Sequence, residues 1–505
     1  MNKNAFIAVL VVFVAAACSP NSDEPAAAAD SSEQTAVLAS GDGLPMNGSI
    51  ETLAGKLDFE SGFPSDDTVQ KLYDEMDFQR ATQAYLWALP IVAFAEWQHS
   101  HREIAGANDI DYVAYLTGRE KLGILTPNAT TPYYLNFADL SATGPLVVEE
   151  PQGLTAGGIL DMWQRPSVDT GQIGPFAGEG GRYLVLGPEH PDMNIDGYTT
   201  VRVGTNSTFI AFRVLDPRAD VAARIVSELK IYPYAERDNP PVTRIIPAAG
   251  LTWIAGAPRG IAYWERLADI LNREPVDSRD MMITAMLRHI GIVHDSSFAP
   301  DVRQRQILQQ AALVGEAMAR TSGYAKRLEG ARVWPDRRWE MSLLLSETNQ
   351  QTKTHTQLDE RAAWFYEAVG VSEGMMCRTV GAGQCYLESQ KDAQGQWLDG
   401  GKNYRLNVPV DAPVEQFWSF SVYDVETRSL LDSGARSDVS SRMELVRNED
   451  GSVDLYFGPE APEGLENNWV KTIAGRGWFT YFRLYGPSQS FFDRAWILND
   501  IERVE

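Results

Sequence analysis

The feature that most restricts this chain is a hydrophobic period that changes three times along its length. From Asp67 to about Gly106 apolar residues such as Val69, Leu72, Tyr73, Met76, Ala84 and Ala88 recur near every 3.6 positions, the spacing of a helix. Pro90 is expected to kink or split it, and the nearly all-apolar run Leu86 to Trp97 to be buried. Between 130 and 255 the pattern shortens to runs such as Leu146-Val147-Val148, Tyr183 to Leu186, Thr199 to Val203 and Thr208 to Val214, each closed off by Gly or Pro, which reads as strands. Helical spacing returns over Tyr263 to Leu271, Arg279 to His289, Val302 to Arg320 and Glu360 to Val369. From about Met376 strands resume at Tyr404 to Val410, Trp418 to Asp424, Val453 to Phe457 and Trp478 to Tyr485, with a hairpin signal at Asn448 to Ser452. At 505 residues the chain is too long for one small core. The expected class is α+β and multi-domain, with a mixed, α/β-rich N-terminal domain over 66–258, a helical connecting region over 259–375 and a C-terminal antiparallel β-sandwich or jelly roll over 376–505.

The first residues read as an export signal. Lys3 supplies the positive start, Ala5 to Ala17 is an uncharged apolar run too short to span a bilayer, and it ends in Ala15-Ala16-Ala17-Cys18. This resembles a bacterial lipobox, so residues 1–18 are expected to be a lipoprotein signal peptide with Cys18 the lipidated residue; an ordinary secretory signal is the alternative. Ser19, in place of an inner-membrane retention aspartate, points to the outer membrane, with the protein facing the periplasm. Residues 19–65 are expected to be a disordered tether, because the stretch to about residue 48 is rich in Ala, Ser, Asp, Glu and Pro. Membrane contact is then expected through the lipid anchor only. In an oxidising compartment Cys377 and Cys385, eight apart and flanked by glycines, are expected to form a disulfide; a redox role lacks the Cys-x-x-Cys spacing.

Charge removes one class of partner. The chain holds 44 basic and 68 acidic residues, net −24, with no lysine or arginine run, so nucleic acid is not an expected partner. Nor is there a Gly-x-Ser-x-Gly elbow, His-Glu-x-x-His, phosphate-binding Gly-rich loop or dinucleotide fingerprint. His99 and His101 share one face only on a strand, not on the expected helix, and no further ligand is visible beside them. No metal and no cofactor is expected, and homo-oligomerisation stays open.

What remains is a rigid polar loop. Leu125-Thr126-Pro127-Asn128-Ala129-Thr130-Thr131-Pro132-Tyr133-Tyr134 places hydroxyls between two fixed prolines and leads into the strand-like Tyr134 to Leu140, the way a scaffold presents a binding site. Together with Asp139-Leu140, Asp161-Met162-Trp163, Leu186-Gly187-Pro188 and Phe212-Arg213, this loop resembles the domain of unknown function 1254. The later Phe417-Trp418-Ser419, Val422-Tyr423-Asp424, Asp450-Gly451-Ser452, Asn468-Trp469 and Arg483-Leu484-Tyr485 resemble the domain of unknown function 1214 that follows it in a two-part bacterial family. The resemblance covers nearly all of the chain after the tether and implies a multi-domain α and β body with a C-terminal β-sandwich.

Two functional expectations follow. In the first, a pocket near the domain junction hydrolyses an ester or glycosidic link without metal, with Asp161 as general acid or base, Arg213 holding a carboxylate or oxyanion, and Tyr133 contributing hydrogen bonds. Asn128, Thr131 and Trp163 would bind the substrate, a small molecule or oligosaccharide. Trp418 and Trp469 would add a stacking platform, although aromatics in a sandwich more often form its core. An arginine inside an apolar strand can instead pair with an aspartate for structure alone. In the second expectation the protein is a non-catalytic binder of glycan or lipid in the envelope.

Overall fold

The computed structural model describes residues 43–505. The expected signal peptide 1–18, with Cys18, and most of the tether lie outside the described residues. Two compact units divide at Tyr73 and Asp74, inside the helix Asp66–Glu103. The first contains a feature the sequence reading assigned to the tether: Gly48–Thr52, Gly55–Glu60 and Phe63–Pro64 form a three-stranded antiparallel sheet. Its local cause is legible. Ser61 and Gly62, both at positive φ, make the two-residue turn that antiparallel strands favour, and Leu57 and Phe59 alternate inward.

The second unit holds everything that follows. Pro90 does not split the helix, which runs unbroken through it. Side chains from other elements bond the carbonyls around the proline: Tyr263 Oη donates to Tyr85 O at 2.6 Å, Arg361 Nη2 to Trp87 O at 2.8 Å and Gln164 Nε2 to Pro90 O at 2.7 Å. Two sheets follow the helix. The larger orders Ile245–Pro247, Tyr112–Tyr115, Tyr133–Asp139, Ser207–Val214, Thr155–Asp161 and Pro166–Gly171; the smaller orders Thr199–Arg202, Gly181–Leu186, Leu146–Glu150 and Lys230–Pro233. In the larger sheet the period of two sorts residues cleanly: Tyr134, Ile210 and Phe212 join one core with the smaller sheet, while Leu135, Phe137 and Phe209 turn to the long helix.

The helices Ile261–Arg273, Met281–Leu287, Val302–Tyr324 and Leu358–Glu367 occupy the expected middle region, the third opened by an Asp301/Gln304 capping box. They are not a separate layer. One apolar core gathers side chains from Ala81 to Tyr481, so the expected boundaries at 258/259 and 375/376 do not divide compact bodies.

The C-terminal part is a sandwich of two sheets around one core that includes Leu387, Leu406, Phe420, Leu455 and Phe482. Its first sheet, Glu340–Met341, Gln384–Ser389, Trp478–Pro487, Val414–Asp424 and Asp438–Ser440, is antiparallel throughout; the second contains one parallel pair, Val453–Gly458 with Trp469–Lys471. Cys377 and Cys385 are joined in a disulfide with Cα atoms 4.6 Å apart.

Candidate functional site

Alternation along the strand Trp478–Pro487 builds half of the site. Phe482 and Leu484 face into the sandwich, so Phe479, Tyr481, Arg483 and Tyr485 must face out. Cross-strand register lines up Gln384 and Tyr386 with Tyr485 and Arg483 on one side, and Phe417, Ser419 and Ser421 with Tyr485, Arg483 and Tyr481 on the other. The outer face of this sheet is thus a row of phenols around one guanidinium, with small serines making room beside it. Such a face would ordinarily meet water, yet here it is fully buried.

The strand Ser207–Val214 builds the opposite half by the same rule. Phe209, Ala211 and Arg213 share a face, paired with Phe137, Leu135 and Tyr133 on one neighbour and with Leu160, Gly158 and Ala156 on the other. Small residues at Ala156, Gly158 and Ala211 leave a hollow. Gly157 between them is required for sheet closure, since a Cβ there would collide with the Ala211 carbonyl.

Between the two faces lies a cavity of about 180 Å³. Arg213, Arg483, Tyr133, Tyr485, Asn128 and Gln384 line it at one end; Phe94, Trp97, Leu135, Leu160 and Phe209 line it further along. The hydroxyl-rich loop closes the polar end and is fixed from both sides. Asn128 Oδ1 accepts from the amides of Thr130 at 2.6 Å and Thr131 at 2.9 Å, its amide N–H donates to Tyr133 Oη at 2.8 Å, and its Nδ2 donates to Tyr485 Oη. From the C-terminal sheet, Arg483 Nη2 donates to Thr126 O at 2.7 Å and Tyr423 Oη to Pro127 O at 2.8 Å.

The electrostatics of this end are one-sided. Arg213 bonds only neutral oxygens, Thr131 Oγ1 at 3.0 Å through Nη2 and Gln384 Oε1 at 3.4 Å through Nη1, with its guanidinium between the Tyr133 and Tyr485 rings at 5.3 and 5.9 Å. Arg483 is held by Tyr423 Oη at 2.5 Å and Ser421 Oγ at 3.2 Å, over the rings of Tyr386, Tyr423 and Tyr481. Burial opposes the charge on both, and the surrounding phenols push both guanidinium pKa values up, so both stay protonated. Behind the loop Lys121 donates to Asn128 O at 2.9 Å and Thr131 O at 2.6 Å; burial first, and Arg213 second, lower its ammonium pKa to about 7. Among the described residues no carboxylate reaches ion-pair distance of any of the three. Asp438 acts through space on Lys121 and Arg483, and Glu120 on Lys121.

The other predicted site residues lie elsewhere. Asp161 does not line the cavity: its carboxylate pairs with Arg165 Nε at 2.6 Å and accepts the Arg165 amide at 2.9 Å, and Arg165 continues to Asp277 at 2.9 Å. The expected pairing of Arg213 with an aspartate is therefore absent. Asp161 takes Arg165, and Asp139 caps the short helix Leu140–Thr143 through Ser141. Trp163 is buried against Trp87, ring centroids 4.8 Å apart, with Arg279 and Arg361 over its face. Trp418 packs in the sandwich core against Phe482, and Trp469 donates Nε1 to Gly458 O at 3.0 Å; neither lines the cavity, so no stacking platform forms there. Asn128, Thr131, Tyr133 and Arg213 do converge. Sequence reasoning missed Lys121, Gln384 and Tyr386, and left Arg483 and Tyr485 out of its site. Arg483 carried the same signal as Arg213, a guanidinium inside an otherwise apolar strand; Lys121 carried none.

Residues 107–233 match the family described as protein of unknown function (DUF1254), and residues 383–489 match that described as protein of unknown function (DUF1214). The chain carries a DUF1254 domain followed by a DUF1214 domain. The DUF1254 part supplies Arg213, Lys121 and the hydroxyl loop, and the DUF1214 part supplies Arg483 and its phenols, so the cavity is made jointly. The crystal structure of the VPA0106 protein from Vibrio parahaemolyticus superposes with a TM-score of 0.55 at 17% identity over 85% of this chain and 100% of that one, which shows a shared fold. An uncharacterized protein from Burkholderia cenocepacia aligns at 13% identity over 87% of this chain and 97% of that one, with a TM-score of 0.39. No curated protein sequence matches the chain.

Proposed function

We propose that this DUF1254–DUF1214 protein is a lipid-anchored envelope protein that binds a small anionic molecule in the junctional cavity, the binding reading rather than the hydrolytic one. One observation carries this. Two guanidinium groups at one end of a cavity have only neutral partners, in a chain whose net charge is −24. A buried cation without a counter-ion is costly; Arg165 has carboxylates in Asp161 and Asp277, and Arg361, fully buried on the Trp87 carbonyl without one, lies away from the cavity. The missing charge is best supplied by a ligand. Hydrolysis led by Asp161 loses its support because that carboxylate is committed to Arg165. Asp169, which does line the cavity, accepts the amides of Glu373 and Gly374, a wall-fixing role.

The test uses the full chain in detergent and a panel of small organic anions with neutral analogues of the same shape. Anions raise the thermal midpoint and neutral analogues do not; Arg213→Gln abolishes the effect. Equal response to charged and neutral compounds overturns the reading. The anchor is tested apart from it: a Cys18→Ser chain should leave the membrane fraction.

A further inference from the structure

From the gradient along the cavity we infer that its ligand is an amphiphilic monocarboxylate, a carboxylate head on a single apolar tail of medium length. This rests on the anion-binding reading and names its substrate class. The strand Ser207–Val214 is the ruler. Stepping from Arg213 through Ala211 to Phe209, with Ala156, Gly158 and Leu160 beside them, the lining passes from guanidinium to hollow to hydrocarbon over four residues, roughly 13 Å, with Asp169 fixed in the wall across from Gly158.

Past the loop the cavity meets Phe94 and Trp97 from the long helix and Trp364 and Val371 from the middle region. A hydrophilic anion such as a sugar acid would set hydroxyls against those apolar walls, where the polar side chains are few: Asp169, whose carboxylate is bonded to the amides of Glu373 and Gly374, with Thr170, Gln172 and Ser372. Size narrows the class further. At roughly 10–15 Å³ for each water-sized body, a cavity of about 180 Å³ takes on the order of a dozen non-hydrogen atoms. The head is a single negative charge: a planar carboxylate suits a guanidinium. The Asp438 carboxylate, close enough to act on Lys121 and Arg483, opposes a second negative charge at this end.

The experiment is a binding series by calorimetry on the full chain in a non-ionic detergent below its micellar concentration, with propionate, hexanoate, decanoate and hexadecanoate, and with decanol and glucuronate as controls. Affinity should climb about fourfold for each methylene buried, through decanoate, and gain nothing further at hexadecanoate. Decanol should bind at least tenfold more weakly than decanoate. Ala211→Leu, which fills the hollow, should weaken decanoate at least tenfold and propionate much less; the wild-type series decides the question if that variant does not fold. Glucuronate or propionate binding as tightly as decanoate overturns the amphiphile while anion binding stands. Decanol matching decanoate, or no anion binding at all, overturns both.

Discussion

Asp161 is committed to a structural pair instead of the acid–base role its sequence context suggested, while Arg213 is free of the aspartate that could have paired with it. Both are charged residues set in apolar strands, and sequence alone does not say which one has a protein partner. The structure gives Asp161 a partner in Arg165 and leaves Arg213 to hydroxyls and a carboxamide. Opposite stability effects follow. Asp161→Asn removes one side of a buried pair and should lower unfolding free energy in urea by about 3 kcal/mol, leaving anion binding near the parent value. Arg213→Gln removes a charge that nothing in the chain compensates, so the ligand-free protein should stay within about 1 kcal/mol of the parent while binding is lost. A destabilised Arg213→Gln with an indifferent Asp161→Asn would reverse the assignment. The loop residues were legible because Pro127, Asn128 and Pro132 fix their turn locally; Trp163, Trp418 and Trp469 misled because an indole that packs and one that stacks on a ligand look alike in one dimension.

At the level of elements, the alternation of periods was enough to find the strands and the helices, since each depends on spacing within ten or so residues. It failed where a distant element overrides a local rule. Pro90 stays inside one helix that is packed on every side there, with Tyr263, Arg361 and Gln164 bonding the Tyr85, Trp87 and Pro90 carbonyls from far along the chain. The sheet at 48–64 was lost to the composition of the segment before it, although Ser61-Gly62 marked its second turn. The disulfide is an element of the site as well. Cys377 and Cys385 bracket Gly383 and follow Gly374 and Met375, all near or in the cavity wall. Closing so short a loop stabilises by about 2–3 kcal/mol in the chain-entropy account. Cys377→Ser with Cys385→Ser should lower the urea midpoint by a corresponding amount, and a fully parent-like midpoint would mean that the wall is held by its hydrogen bonds alone.

Over the whole molecule, the cavity is a small positive volume inside a strongly negative body, and Lys121 makes that contrast depend on pH. The groups that bear on its ammonium are Arg213 and Arg483, which oppose its charge, and Asp438 and Glu120, which favour it; burial outweighs all four and sets its pKa at about 7 in the folded chain, against 10.5 for an ordinary lysine. Below about 7 the lysine is charged in both folded and unfolded states, and the folded state carries the full cost. Between about 7 and 10.5 the unfolded chain holds one proton more, so this group makes stability rise with pH by up to about 1.4 kcal/mol per unit. Lys121→Met, which forfeits the bonds to Asn128 O and Thr131 O, should be less stable at high pH and lose that slope, the gap between parent and variant widening from pH 7 to 9 in urea unfolding. A ligand anion beside Arg213 would favour the charged lysine, so binding near pH 8 should take up a fraction of a proton and weaken as pH rises. Calorimetry in buffers of different ionisation enthalpy measures that uptake, and its absence in the parent would place Lys121 outside the reach of the bound charge.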